Sequence, residues 1–445
     1  MSLTSRNAAS VSNLAAALAI LAAALGAGAC NTLFPSTATG TGGAQGPAGT
    51  GGAPGPAMKD PSNYPQNTPG AMFPYPQGHT FAGCPAPAYD TDKVAAAYNA
   101  WKTKFYVGGR VVRLDSPAPN TNDTVSEGIA YGMLIGVYMN DRPMFDTLWN
   151  YAHARLDGNG LMNWHYSSTG SIIDQGGATD ADEDMAWALL MADKQWGGAP
   201  TMGGLPTYIS SATTLIGALW SHEVDQGGGN VLKPGDNFGG ANMTNPSYFS
   251  PAYYRAFARV TNNTGWMAVV ASSYQILGRA AGSYGLVPNW VNAQGVGVPG
   301  PGNDPDGVYF GYDACRTPWR IALDYCQNGA PEATPYLEKI AGFYASKVAG
   351  TGFTIKDGYT LAGGAPPAPS NLGKYAAGMA FLGPGGFAAM DGMGHDAFVM
   401  TVYGALVADT TGPLMSSSGI FNYYSGSWGV LSLLSMSGNV WDMTQ

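Results

Sequence analysis

The chain predicts an all-α fold, and within that class a double-ring barrel of six helical hairpins, on three observations. From about residue 85 onward, twelve helix-length apolar segments follow one another. Loops rich in Gly, Pro and Asn divide them, in a chain with 64 glycines among 445 residues. No repeat of about 30 to 50 residues recurs, which argues against a helical solenoid. Twelve helices close as six hairpins when an outer ring packs an inner one, and the loops at one end then form a cleft. Sites usually lie in such loops.

In order, the helical segments span 92–106, 126–139, 141–156, 182–194, 206–223, 250–260, 264–280, 314–328, 331–349, 372–382, 395–408 and 427–437. Ahead of them, residues 1–29 read as an export signal: Arg6, an apolar run from Leu14 to Leu25, then Ala27-Gly28-Ala29 before Cys30. A lipid-anchored start at Cys30 stays open, because the residue three before it is Ala27 where an aliphatic one is usual. Residues 30–80 are Gly-, Pro- and Thr-rich with almost no charge, as expected of a flexible linker. Residues 81–445 form the expected catalytic domain. No later stretch reaches about 18 uncharged apolar residues, so the expectation is a secreted or cell-surface monomer with no membrane span.

Only 11% of residues are charged, against roughly 25% in an average soluble protein, while 11% are aromatic. A net charge of −9 excludes a nucleic-acid partner, whose phosphates need Lys and Arg. Such a surface suits an exported protein that meets neutral ligands. Cys315 and Cys326 on one helix would sit about 16 Å apart along its axis, beyond disulfide reach, so no bond between them is expected. The five histidines form no HExxH pattern and the cysteines no CxxC pair, so neither metal nor cofactor is expected.

Three segments concentrate acids beside aromatics. In Thr124-Val125-Ser126-Glu127-Gly128-Ile129-Ala130-Tyr131-Gly132, Glu127 falls in the first turn of a helix, where an acid ordinarily complements the dipole. To serve as a protonated acid it would need burial or a second carboxylate. Gly128, Ala130 and Gly132 leave room for a close approach. In Asp180-Ala181-Asp182-Glu183-Asp184, Asp180 and Glu183 have capping-box spacing, which accounts for two of the four acids. Asp313 stands just before a helix with Arg316 one turn on, which should hold it ionised as a base. One acid to protonate a leaving oxygen, one carboxylate to activate water, and aromatic faces for sugar rings are what glycoside hydrolysis needs. Trp164 and Tyr248 stand out among the aromatics, each in a short polar loop flanked by Gly or Pro.

The run Ala178-Thr179-Asp180-Ala181-Asp182-Glu183-Asp184-Met185-Ala186 resembles the signature of glycoside hydrolase family 8, and the likeness extends through Ser126-Glu127-Gly128, Asn163-Trp164, Lys233-Pro234-Gly235-Asp236, Thr244-Asn245-Pro246-Ser247-Tyr248-Phe249 and Tyr312-Asp313-Ala314-Cys315-Arg316. The resemblance implies an (α/α)6 barrel and an inverting, endo-acting hydrolase with Glu127 as general acid and Asp313 as general base. Asp180 would then hold the distorted sugar, and Trp164 would stack a ring. Arg316 and Tyr248 would hold the base and its water, while Tyr312 and one of Tyr423 and Tyr424 would line the cleft. The expected substrate is a β-1,4-glucan, cellulose-like or mixed-linkage. Chitosan cleavage, licheninase activity and a catalytically silent glucan-binding lipoprotein are the alternatives.

Overall fold

The computed structural model describes residues 68–114, 120–350, 352–408 and 422–441. The expected signal at 1–29, Cys30 and the linker as far as residue 67 lie outside the described residues. Twelve α-helices occur among the described residues: α1 (Thr91–Phe105), α2 (Ser126–Tyr138), α3 (Arg142–His153), α4 (Thr179–Trp196), α5 (Tyr208–His222), α6 (Pro251–Thr261), α7 (Gly265–Ala280), α8 (Thr317–Asn328), α9 (Thr334–Ala345), α10 (Met379–Ala388), α11 (Asp396–Leu406) and α12 (Tyr423–Met436).

Burial sorts them into two rings. Every residue of α12 is buried, as is all of α2 except Glu127 and all of α10 except Met379, so these helices are enclosed on every side. Around the inner ring α2 packs on α4 and α12, α12 on α10, α10 on α8, and α8 on α6. The Trp187 ring of α4 stacks on Tyr253 of α6, centroids 4.4 Å apart, which closes the circle. The odd-numbered helices lie outside, α1 on α12, α3 on α2, α5 on α4, α7 on α6, α9 on α8 and α11 on α10. Three of these outer helices start at conventional caps: the side chains of Asp90, Asp141 and Thr207 accept first-turn amides of α1, α3 and α5.

Small residues set the ring spacing. A Cβ on Gly132 would lie 2.7 Å from Leu148 Cδ1 and 2.9 Å from Val111 Cγ2, and one on Gly386 would lie 2.5 Å from Val402 Cγ1. The room left by the small residues of α2 is therefore taken by neighbouring protein, not by a ligand. A short hairpin of β1 (Tyr106–Val107) and β2 (Arg110–Val111) precedes a three-stranded antiparallel sheet at the mouth of the barrel, where β3 (Thr124–Val125) pairs with β4 (His165–Tyr166), and β4 with β5 (Ile172–Asp174).

Several helix limits differ from the periodicity by three or more residues, among them those of the fourth, eighth and ninth helices, and two of the differences have a visible cause. The tenth helix runs over Met379–Ala388 instead of 372–382, because 372–378 pairs with the preceding loop: Ala377 N–H donates to Ile355 O at 2.8 Å and Tyr375 N–H to Asp357 Oδ1 at 3.0 Å. The twelfth begins at Tyr423, its first turn masked in the sequence by Ser425, Gly426 and Ser427. Residues 68–80, read as the end of a flexible linker, pack on the barrel. Phe73 meets Trp441 with centroids 4.8 Å apart, and Gln77 N–H donates to Asn439 Oδ1 at 2.9 Å. A disulfide joins Cys84 to Cys326 of α8, and Cys315 is free and buried. Cys326 thus has a partner, one that spacing within a single helix could not suggest.

Candidate active site

Four inner helices begin at one cleft. The first turns of α2, α4 and α12 carry Glu127, Asp180 and the pair Tyr423 and Tyr424, while Asp313 precedes the short 3-10 turn Ala314–Arg316 that runs into α8. These helix starts gather unsatisfied amides and positive dipole ends, a setting that favours anionic groups. The cleft is lined by all nine residues singled out in the sequence: Glu127, Asp180, Asp313, Trp164, Tyr248, Tyr312, Arg316, Tyr423 and Tyr424.

Arg316 organises the floor. It is 1% exposed, and its Nη1 donates to Asp180 Oδ2 at 2.6 Å, Glu127 Oε2 at 2.8 Å and Tyr131 Oη at 3.1 Å. Its Nη2 donates to Ser247 Oγ at 2.8 Å and Asp313 Oδ1 at 3.2 Å. One guanidinium therefore holds three carboxyl groups, Glu127 and Asp313 on different nitrogens of the fork. The Tyr248 ring lies 5.2 Å from the guanidinium carbon. Ser247 is itself oriented by Asn245, whose Oδ1 accepts the Ser247 amide at 3.0 Å and hydroxyl at 2.7 Å. Asn289 Oδ1 accepts the amides of Gly311 and Ala314, both at 3.0 Å, and so pins the turn bearing Asp313.

Electrostatics differ across the site. Burial lifts the Glu127 carboxyl to about 7; Arg316 opposes that lift, Asp180 adds to it, and the Tyr423 hydroxyl, donating to Glu127 Oε1 at 2.5 Å, works against it. Burial also raises Asp313 above the ordinary carboxylate range, against the pull of Arg316. This corrects the expectation of a lowered value: Arg316 divides its charge among three carboxyls, and desolvation outweighs Asp313's share. Tyr423 reaches Glu127, whereas Tyr424 donates to the Tyr312 carbonyl and has Cys315 Sγ 3.6 Å from its hydroxyl. Tyr312 donates its hydroxyl to Asp357 Oδ2 at 3.1 Å.

The acid run of α4 has a different use from the capping box. Helix α4 starts after Ala178 with no side-chain cap, and Asp180 turns to the buried guanidinium, a stronger partner than a backbone amide. Asp182 Oδ1 accepts the Met162 amide at 3.2 Å. Glu183 accepts from Ser250 Oγ at 2.6 Å and Tyr254 Oη at 2.9 Å. Asp184 forms a two-point pair with Arg320, one bond being Nη2 to Oδ2 at 2.8 Å. Successive acids thus fasten α4 to the floor, to a loop, to α6 and to α8.

Several site residues escaped the sequence reading. Arg113, Trp290, Asn237, Phe238, Asp304, Asp306 and Leu372 also line the cleft. Asn245 and Ser247 stood within a quoted motif but showed no charge or aromatic ring to mark them.

A cleft at the helix-start end of a double ring, floored by three carboxyl groups and walled by aromatic rings, is the arrangement of an enzyme that cleaves glycosidic bonds. Residues 82–389 match the profile described as Glycosyl hydrolases family 8, and the chain belongs to that family. It is 36% identical to Endoglucanase A of Acetivibrio thermocellus over 78% of this chain and 70% of the relative. It is 32% identical to the Beta-glucanase of Niallia circulans over 83% of this chain and 91% of the relative. Among solved structures, the apo beta-1,3-1,4-glucanase of Paenibacillus sp. X4 superposes with a TM-score of 0.69 at 29% identity, covering 83% of this chain and 99% of that one. Rex8A of Paenibacillus barcinonensis, at 23% identity and a TM-score of 0.62, shares the fold.

Proposed function

We propose that the protein is an exported, inverting endo-β-1,4-glucanase acting on cellulose-like or mixed-linkage β-glucan. Glu127 is the general acid, Asp313 the general base, and Asp180 holds the distorted sugar at the point of cleavage. The convergence of these three carboxyls on Arg316, with Glu127 lifted to about 7, carries the reading. A carboxyl with that value still holds its proton near neutral pH and can give it to the glycosidic oxygen as the C–O bond breaks. Asp313, made more basic by burial, takes a proton from the water that attacks C1 on the opposite face. Trp164 offers a ring face to a sugar, while Arg316 and Tyr248 hold the base and its water. The endoglucanase and beta-glucanase relatives support the substrate class.

Glu127→Gln should abolish hydrolysis of carboxymethylcellulose while cello-oligosaccharide binding persists, and NMR of the first product should show the α-anomer. Unchanged turnover would overturn the acid assignment, and a β-anomer would overturn inversion. Rates on carboxymethylcellulose, barley β-glucan, chitosan and xylan measured side by side should be highest on one of the two glucans. Export is supported by the Cys84–Cys326 disulfide, since such bonds persist in oxidising compartments. Cell fractionation should find the protein outside the cytoplasm, and radiolabelled palmitate would report lipid on Cys30.

A further inference from the structure

His165 is 1% exposed and lies between two carboxylates. Its Nε2 is 2.7 Å from Asp123 Oδ2 and its Nδ1 2.8 Å from Asp174 Oδ2. Each ring nitrogen is within hydrogen-bond distance of a carboxylate oxygen, so the imidazole is tethered on both sides. Asp123 is also gripped by Arg113, Nε to Oδ1 at 2.8 Å with Nη2 on Oδ2, and Arg113 Nη2 lies 3.1 Å from His165 Nε2 over the same oxygen. Arg113, Asp123, His165 and Asp174 form one closed unit that reaches the cleft wall at Arg113.

That unit spans the elements that present Trp164. Asp123 immediately precedes β3, which leads into Glu127; His165 opens β4; Asp174 ends β5. The indole of Trp164 stacks on the His165 ring, centroids 4.8 Å apart and planes 26° from parallel. Its own Nε1–H is buried with no hydrogen-bond partner, so no polar contact of the indole fixes its rotamer. The residue is held by its backbone, with Ser126 N–H donating to Trp164 O and Trp164 N–H to Gly176 O, both at 2.9 Å, by packing against the core, and by the imidazole beneath the ring.

We propose that His165 is a positioning residue for substrate: clamped by Asp123 and Asp174, it is the bed on which Trp164 is held flat to receive a sugar ring. The inference rests on the reading of Trp164 as a sugar platform. His165 touches neither the sugar nor the reacting atoms, and it acts on the substrate through Trp164. The test is a double-mutant cycle on soluble β-glucan, measuring KM, kcat and melting temperature for Trp164→Ala, His165→Gln and the double variant. A glutamine carboxamide has one nitrogen where the imidazole has two, and it offers no ring for the indole to lie on. His165→Gln should raise KM about fivefold to tenfold with kcat within about twofold, and should add less than about twofold to KM when Trp164 is already alanine. Equal KM increases in both backgrounds, or a fall in kcat at unchanged KM, would overturn the proposal. Asp174→Asn weakens one arm of the clamp by removing its charge and should raise KM in the same non-additive way, which keeps the test available if His165→Gln does not fold. If Trp164→Ala leaves KM unchanged, the platform reading itself fails and this inference with it. If Trp164→Ala weakens KM and His165→Gln does not, only the role of His165 is lost.

Discussion

Replacing Asp180 by Asn should move the alkaline limb of activity toward lower pH. Asp180 Oδ2 and Glu127 Oε2 accept from the same Arg316 nitrogen, at 2.6 and 2.8 Å, so about 5 Å at most separates them. At an effective dielectric constant of about 20, two unit charges at that distance repel by about 3 kcal/mol, or about two pKa units. The guanidinium between them absorbs part of this, leaving a shift of about one to two units. In the unsubstituted enzyme the Glu127 carboxyl is lifted to about 7, so loss of its proton should set the upper pH limit of kcat/KM there. Asp180→Asn takes away one of the causes of that lift. Its kcat/KM profile, followed from pH 4 to 9 on carboxymethylcellulose, should lose activity at least about one unit lower, beside any drop in maximal rate from a poorly held sugar. A limb that stays in place or moves up would refute the electrostatic coupling, and with it the account of how Glu127 keeps its proton.

Three further outcomes follow from the same contacts. Because the folded value of Glu127 lies above the ordinary 4.5, its contribution to stability is full below about pH 4.5 and lost as pH rises through about 7, a change of up to about 3 kcal/mol. Urea unfolding of Glu127→Gln should therefore gain on the unsubstituted protein across that window and keep the gain above it; a constant difference would contradict the shift. Replacing Cys84 and Cys326 by Ser opens a link spanning 242 residues of sequence and should cost about 2–5 kcal/mol in unfolding experiments, with the helices retained by circular dichroism. Arg320→Ala strands the Asp184 carboxylate, 1% exposed, inside the inner ring and should cost about 3–5 kcal/mol, whereas a variant replacing both partners by apolar residues of similar size should recover much of it.

The helices were legible because what makes them is local. An apolar stripe repeating every three to four residues states a helix wherever the chain goes, and caps such as Asp90, Asp141 and Thr207 sit within four residues of the amides they hold. Legibility failed where a local signal had a distant use. Leu372 reads as the start of a helix but reaches the cleft, and Tyr423 and Tyr424 open a helix whose small residues read as loop. The candidate acids were legible through residue type and a familiar motif. Arg113, Asn289 and Trp290 were not, since nothing in their neighbourhoods distinguishes a cleft wall from any other polar loop.

From its residues alone the protein is a chain of about a dozen helices with three acid-bearing segments and a composition suited to neutral polymers. Which ring a helix joins, and that four inner helices start at one cleft, depends on packing between segments far apart in sequence. The same holds for the site's charges. Asp313 sits three residues from Arg316, a spacing that argued for a lowered carboxyl, yet burial wins because Glu127 and Asp180, 189 and 136 residues away, draw on the same guanidinium. Cys84 and Cys326, 242 residues apart, meet for the same reason. Helical hydrogen bonds and side-chain periodicity act within four residues, whereas desolvation and Coulomb interactions depend on distance in space, and only the closed barrel sets that distance.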